Sequence, residues 1–505
     1  MNNTSKRVLL NSIVVYCRQI LLLIISLISV PIIMRALGEV DYGLYNLVAG
    51  IIAMLSFLNT AMTVSTQRYL SVTIGEQNHN KLNSILNNSI ILHLAIGVAI
   101  VVIFEIGSIF FFNGKLNIDG TRLYAAKVVY QSLVVSTFFT VIMVPFQAFM
   151  NAKEHMITLS LFGLADSILK FGLALSLVLI SFDRLIYYGV GIACVSLTIA
   201  IVEIVYVMHH YKDITIKPIL FFNKDTLKKI SGFAGWNTFG AMAMIGRNQG
   251  TAIIMNLFYG PLANAAYGIA NQLNGALSFF SSSFQSALNP QLMQSEGMND
   301  RERLIRISLF SSKISVFVVA LFALPLILEM DYVLKLWLHE VPQYTLRLSQ
   351  LVLCSLIVFQ YSSGLMSAIQ AHGEIRNYFL IISAFILLNL PISYVLLSCG
   401  APLYSCIVVF IIIEICSLII RLILSKKYVG VRPYSFLYQV IVPTMTCMAL
   451  AFIPAIICHR VLPESLFRVI VVSLVYLLIY FLVAWFILFD DNVKNIIKTF
   501  FWKKK

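Results

Sequence analysis

Apolar runs dominate this chain: about fourteen stretches, each of roughly 20 or more predominantly apolar residues, follow one another with little between them. A stretch of that length crosses a bilayer as a helix, and within hydrocarbon only helices and closed barrels satisfy their own backbone groups. The chain has 505 residues, of which 59% are hydrophobic and 11% charged, and its mean hydropathy is +0.89. That is too little charge to coat a soluble core of this size. The expected fold class is an all-α polytopic membrane protein. The first apolar run, from Val8, is too long for a cleavable signal peptide and lacks a small-residue cleavage pattern.

The formal net charge is +14. Most of the lysine and arginine sits in short links between apolar runs, which reads as membrane topology and attraction to anionic headgroups, not nucleic-acid binding. Cytoplasmic N- and C-termini place the heaviest basic links, 211–229, 421–432 and the tail Lys503-Lys504-Lys505, on the inside, as the positive-inside rule requires. The eight cysteines lie in or at the ends of apolar segments without a CxxC pair and read as packing residues. No metal site and no cofactor is expected. GxSxG, HExxH, P-loop and GxGxxG signatures are missing from suitable settings, and the longest outer loop is only about fifteen residues, Met330 to Tyr344. No enzyme activity is expected.

Six spans fit an N-lobe over 1–210, and six more a C-lobe over 231–425. A final helix pair and a basic tail occupy 426–505. The connector at 211–230 reads as a cytoplasmic interfacial helix, with Ile219, Leu220, Phe221 and Phe222 facing lipid beside Lys224, Lys228 and Lys229. A repeat at an offset of about 220 residues links the lobes. Leu37-Gly38 and Asp41-Tyr42-Gly43-Leu44-Tyr45-Asn46 have a counterpart in Tyr259-Gly260 and Ala266-Tyr267-Gly268-Ile269-Ala270-Asn271. Ala152-Lys153-Glu154-His155 likewise pairs with Ala371-His372-Gly373-Glu374. An even number of spans per half makes the repeat parallel, its axis along the membrane normal, with a cavity between the lobes.

The seventh span, Phe233 to Tyr259, carries Arg247-Asn248-Gln249 in its second half. An arginine there costs several kcal/mol, roughly 3 on insertion scales, and persists only facing a watery or protein-lined interior. Asn237, Gly240, Met244 and Thr251 share its face at helical spacing. The eighth span carries a polar stripe, Asn264, Tyr267, Asn271, Asn274, Ser278, Ser281 and Gln285, too long to face lipid comfortably. The plain alternative for such residues is interhelical hydrogen bonding. The first span holds Arg18 and Gln19 near mid-membrane. Two arginines beside one cavity would attract an anion, and their forks suit phosphate oxygens. A salt bridge to a buried acid, or snorkelling, is the alternative for each. Further intramembrane charges are Glu105, Asp166, Lys170, Glu203, Lys313 and Glu414. Asp166 and Lys170, four apart, either neutralise each other or form a site coupling transport to H+ or Na+. Glu203 reads as interfacial, and His93 as a packed residue.

With these features in view, the chain resembles the polysaccharide-exporter branch of the MOP superfamily, which also holds O-antigen flippases, lipid II flippases and MATE antiporters. The residues that carry the resemblance are NSIVVYCRQILLLIISLISVPIIMRALG from Asn11 to Gly38, DYGLYNLV from Asp41, Thr66-Gln67-Arg68-Tyr69, and Asn151-Ala152-Lys153-Glu154. The resemblance extends over the whole chain, the last helix pair included, and rests on layout more than on a signature. It implies two six-helix lobes around a cavity lined by spans one, two, seven and eight. It implies as substrate an oligosaccharide on an undecaprenyl diphosphate carrier, turned across a bacterial inner membrane, with a polysaccharide polymerase as a further partner. By that analogy Arg18 and Arg247 would contact the diphosphate, and Asn271, Asn274, Ser278 and Gln285 the sugar; Gln19, Asn237 and Asn248 would add polar lining. The competing functional reading is a MATE-like drug antiporter. A cation pump should carry unpaired acids in spans one or seven, where this chain has arginines. A polymerase would need a large outer loop.

Overall fold

A computed structural model describes residues 56–488 apart from 111, 113–119, 213 and 339–340, together with residues 18, 20–22 and scattered positions from 24 to 49. Helix accounts for nearly all of it, with no strand among the described residues. Nine described helices are long and apolar enough to cross a membrane, or ten if a bent pair counts as one span. Two other long helices, α6 (Lys224–Tyr259) and α7 (Pro261–Gly297), are not among them. Their arginine, asparagine, glutamine and serine residues lower their apolarity, and these are the spans in which the sequence placed a polar wall.

The chain forms two compact units, one ending at Thr238 and the other running on from Phe239, so the division falls inside α6. The first unit contains α1 (Ser56–Gly75), α2 (His79–Phe110), α3 (Leu123–Ala152), α4 (Met156–Ser176) and α5 (Arg184–His210). Side-chain caps start two of these helices by satisfying orphan backbone donors. Asn78 Oδ1 accepts from Lys81 N at 3.0 Å before α2, and Asp183 Oδ1 accepts from Leu185 N and Ile186 N at 3.1 and 3.2 Å before α5. Arg122 bridges Asp183, at 2.7 Å, and Asp41 of the DYG stretch. Phe146, Phe149, Met150, Leu70, Leu86 and Ile230 form one buried cluster of this unit. His93 is buried, with Nδ1 2.7 Å from Ser89 O, packed as expected.

The connector departs from the expected interfacial helix. From Ile214 to Lys217 it runs without helix, turns at Pro218 to Phe221, and becomes helical only at Lys224. Three asparagines of α2 explain this by offering the backbone an alternative set of partners. Asn83 Oδ1 accepts from Thr215 N at 2.7 Å. Asn87 donates to Thr215 O at 2.7 Å and accepts from Lys217 N at 2.8 Å. Asn88 donates to Phe221 O at 2.8 Å and accepts from Asn223 N at 2.9 Å. Ile219 and Leu220 stand exposed at the tip of the turn. Asn87→Ala removes all three bonds of this amide, the third to Asn83 O at 2.8 Å, each worth about 1 kcal/mol, and releases Thr215 O and Lys217 N of the connector. It is expected to lower stability by about 2–3 kcal/mol and to speed tryptic cleavage at Lys212 and Lys217. Asn87→Asp, which keeps the acceptor, should fall between the two. Cleavage rates and unfolding midpoints no different from wild type would show that the clasp does not hold the connector.

The second unit contains the rest of α6, then α7, α8 (Arg301–Leu328), α9 (Met330–Leu338), α10 (Thr345–Tyr361), α11 (Ser363–His372), α12 (Arg376–Leu387), α13 (Asn389–Ser398), α14 (Ser405–Tyr428), α15 (Pro433–Phe436), α16 (Val442–Val461) and α17 (Leu466–Ile487). Gly260, at φ +73°, makes the turn between α6 and α7, and Pro261 opens α7 where a missing N–H costs nothing. Helices α10 and α11 meet at Ser362 with a bend of 41°. The terminal pair, α16 and α17, packs on α8: the Tyr476 hydroxyl donates to Ala320 O at 3.1 Å, and Tyr480 stacks on Phe317 at 4.9 Å. Buried Glu329 ties the same region together, accepting from Arg468 at 3.0 Å and sitting 2.8 Å from His459 Nδ1.

Candidate functional site

A cavity of about 180 Å³ opens in the second unit. Helix periodicity builds its polar wall. On α7, Tyr267, Asn271, Asn274 and Ser278 recur every three or four residues and share one face. The Ser278 hydroxyl donates to Asn274 Oδ1 at 2.8 Å. From α6 come Met244, Arg247 and Asn248. The far wall is aromatic and acidic: Phe359 from α10, Phe410 and Glu414 from α14.

Arg247 is the cation of this cavity, and it is not alone. Its Nη1 donates to Glu414 Oε1 at 2.6 Å, with only 3% of its side chain and none of Glu414 exposed. Its guanidinium lies 3.6 Å from the centre of the Phe410 ring, a cation–π contact. Arg421, two turns along α14 from Glu414, reaches the second carboxylate oxygen at 3.5 Å and donates to the Tyr378 hydroxyl at 3.2 Å. The cluster is a buried Arg–Glu–Arg triad carrying a net positive charge. Arg247 therefore satisfies both sequence readings, lining a cavity and bridging a buried acid.

Other expected residues fall in different places. Asn248, Asn271, Asn274 and Ser278 are brought together with Arg247. Gln285 lies along α7 from them, its amide on the Ser281 hydroxyl at 3.2 Å, which donates to Gln360 at 2.5 Å. Asn237 is buried with its amide on Phe233 O at 3.0 Å, ten residues before Arg247 and in the first unit. Neither lines the cavity. Gly240 and Thr251, on the Arg247 face, serve packing instead: a Cβ at Gly240 would meet Phe379 at 2.2 Å, and Asn389 donates to Thr251 at 3.0 Å.

In the first unit, Arg18 lies against Gly163 of α4, where a Cβ would stand 2.6 Å from its Nη2. It is in electrostatic reach of Glu203 of α5. Glu203 is fully buried and accepts from Gln147 at 3.1 Å, so it is an interior residue and not the interfacial one expected. Seven residues before the end of α5, it packs inside the unit and takes its hydrogen bond from α3. Asp166 and Lys170 form an ion pair at 2.9 Å across one turn of α4. Gln19 lies outside the described residues.

Sequence reasoning missed Arg421, which it grouped with the basic cytoplasmic link, and left Glu414 without a role. The signal was present: a glutamate and an arginine seven apart lie on one face of an apolar helix, and neither is affordable there alone.

Solved structures of multidrug transporters share this fold. A MATE protein in its bent conformation aligns with a TM-score of 0.75 at 14% identity, over 86% of this chain and 97% of that one. An outward-facing multidrug resistance MATE transporter of the MOP superfamily aligns at 0.71 and 16%, over 84% and 95%. A MOP superfamily transporter from Pyrococcus furiosus, described as having a binding pocket of reversed polarity, aligns at 0.70 and 14%, over 85% and 95%. No curated protein matches the chain. These likenesses define the class of fold, a multi-pass helical fold shared with solved transporter structures. Within that class it belongs to the polysaccharide biosynthesis protein family, whose model matches residues 8–296.

Proposed function

We propose that the protein is a flippase of a bacterial inner membrane. It turns an oligosaccharide carried on undecaprenyl diphosphate between leaflets for assembly of a cell-surface polysaccharide. The observation that carries this reading is the net-positive, amide-lined cavity around Arg247, on a chain of the polysaccharide biosynthesis family. Arginine forks hold phosphate oxygens in pairs, and amides and an aromatic wall suit sugar hydroxyls and ring faces. A drug exporter of cationic compounds would place its substrate against like charge. Arg18, in electrostatic reach of Glu203, supports the reading as a cation of the first unit, though not a strict equivalent of Arg247.

Reconstitution tests this. The purified protein in liposomes should carry a fluorescent undecaprenyl-diphosphate oligosaccharide from the inner to the outer leaflet, read as label accessible to an added impermeant quencher. Arg18→Ala should slow that movement by about tenfold or more, the affinity equivalent of a charged hydrogen bond. Efflux of a cationic dye with no movement of the lipid-linked sugar would overturn the reading in favour of drug transport.

A further inference from the structure

Glu414 sits where an anion in the cavity would have to bind. Its Oε1 already caps Arg247 at 2.6 Å, while Arg247 Nε is buried without an acceptor among the described residues. The triad is asymmetric. Glu414 and Arg421 belong to one helix, and Arg421 is held from its other side by Tyr378 at 3.2 Å. Arg247 comes from a different helix, α6, and borders the cavity. If Arg247 lets go of Glu414, the carboxylate keeps a buried cation beside it, so the usual penalty for breaking a buried pair is softened.

We propose that Glu414 is a displaceable counter-ion, and that a phosphate or diphosphate group entering the cavity takes Arg247 from it while Glu414 stays on Arg421. The proposal rests on the diphosphate reading above and assigns to that site its specificity-determining residue. An empty cavity with an uncapped, buried arginine would be costly, and Glu414 supplies the missing anion in the unloaded state. It also sets a threshold. A carboxylate competing with Glu414 trades like for like and gains little. A diphosphate, with more charge and more acceptor oxygens for the same fork, displaces it. Neutral groups gain nothing from Arg247, so discrimination comes from an internal competitor rather than from added contacts.

Calorimetric titration of the full-length protein in nanodiscs tests this, with pyrophosphate as the diphosphate probe and glucuronate as the carboxylate probe. Wild type is expected to bind pyrophosphate and to show no glucuronate binding up to millimolar concentration. E414Q should bind pyrophosphate about tenfold tighter and begin to bind glucuronate. Because E414Q adds net buried charge and could fail to fold, E414Q/R421Q is the decisive companion: it restores the wild-type net charge and leaves Arg247 uncapped. Exchange predicts that this double variant also binds pyrophosphate about tenfold tighter than wild type. Wild-type affinity in the double variant would mean that only net charge counts and would overturn the exchange, leaving Arg247 as the diphosphate ligand. Pyrophosphate binding that survives R247Q would remove Arg247 as its ligand and overturn the exchange, whereas no pyrophosphate binding by wild type would overturn the diphosphate reading itself.

Discussion

Arg247→Ala is expected to abolish glycan export while the protein still inserts and folds. Both halves follow from the triad. Removing one member of a buried ion pair ordinarily costs about 3–5 kcal/mol, because the partner is left charged and alone. Here Glu414 keeps Arg421 at 3.5 Å, so the stability loss should fall below that range. Function has no such reserve. Among the cavity-lining residues Arg247 is the only lysine or arginine, and Arg421, buried behind Glu414, does not reach the lining. Losing a charged hydrogen bond costs roughly 1.5–3 kcal/mol, about ten- to a hundredfold in affinity, and a bidentate contact more. Arg247→Lys keeps a charge but not the fork, and cannot hold Glu414 and a phosphate at fixed angles. It should retain a measurable fraction of export. Surface glycan per cell, set against the amount of membrane-inserted protein, is the measurement. Full export in Arg247→Ala would remove the cation from the mechanism.

How far the sequence carried the site can be judged from single residues. The α7 stripe was legible because helix periodicity turns spacing into a shared face, and Asn271, Asn274 and Ser278 do line one cavity with Arg247. The same logic does not place Gln285 or Asn237 in this cavity, since a face extends the length of a helix whereas the cavity spans about three turns of α7. Periodicity gives direction around a helix but not depth along it. The Glu414–Arg247 pair was hidden for a different reason: its members are 167 residues apart, and nothing within either segment says which distant helix it meets. The connector failed on local chemistry. Its apolar and basic residues fit an interfacial helix, but Asn83, Asn87 and Asn88, more than a hundred residues earlier, supply the bonds that keep it extended. Fold class was the most legible level, because bilayer thickness fixes span length whatever the partners are.

Gly364→Ala should be among the most destabilising single-methyl additions in the second unit. A Cβ at Gly364 would stand 2.0 Å from Ser308 O, 2.8 Å from Ser312 Oγ and 2.9 Å from Ser312 N. The first contact is with backbone, so no rotamer change relieves it, and α11 and α8 would have to separate. That separation breaks two bonds that hold the bent pair in place, Ser308 Oγ to Gly364 O at 2.9 Å and Gly364 N to Ser312 Oγ at 3.1 Å. Small residues allow this approach: Ser308, Ser311, Ser312 and Ser315 recur along one face of α8, all buried, so helix backbones meet where larger side chains would hold them apart. Overpacking of this kind costs about 1–3 kcal/mol, and each lost bond about 1 more. The expected total of roughly 3–5 kcal/mol should appear as a large drop in unfolding midpoint and in monodisperse yield from detergent. Gly275→Ala on α7 is the control. A Cβ there would meet nothing within 4 Å, so the change should be neutral or slightly stabilising through helix propensity. Equal midpoints for the two variants would mean that α8 and α11 do not touch through their backbones at this bend.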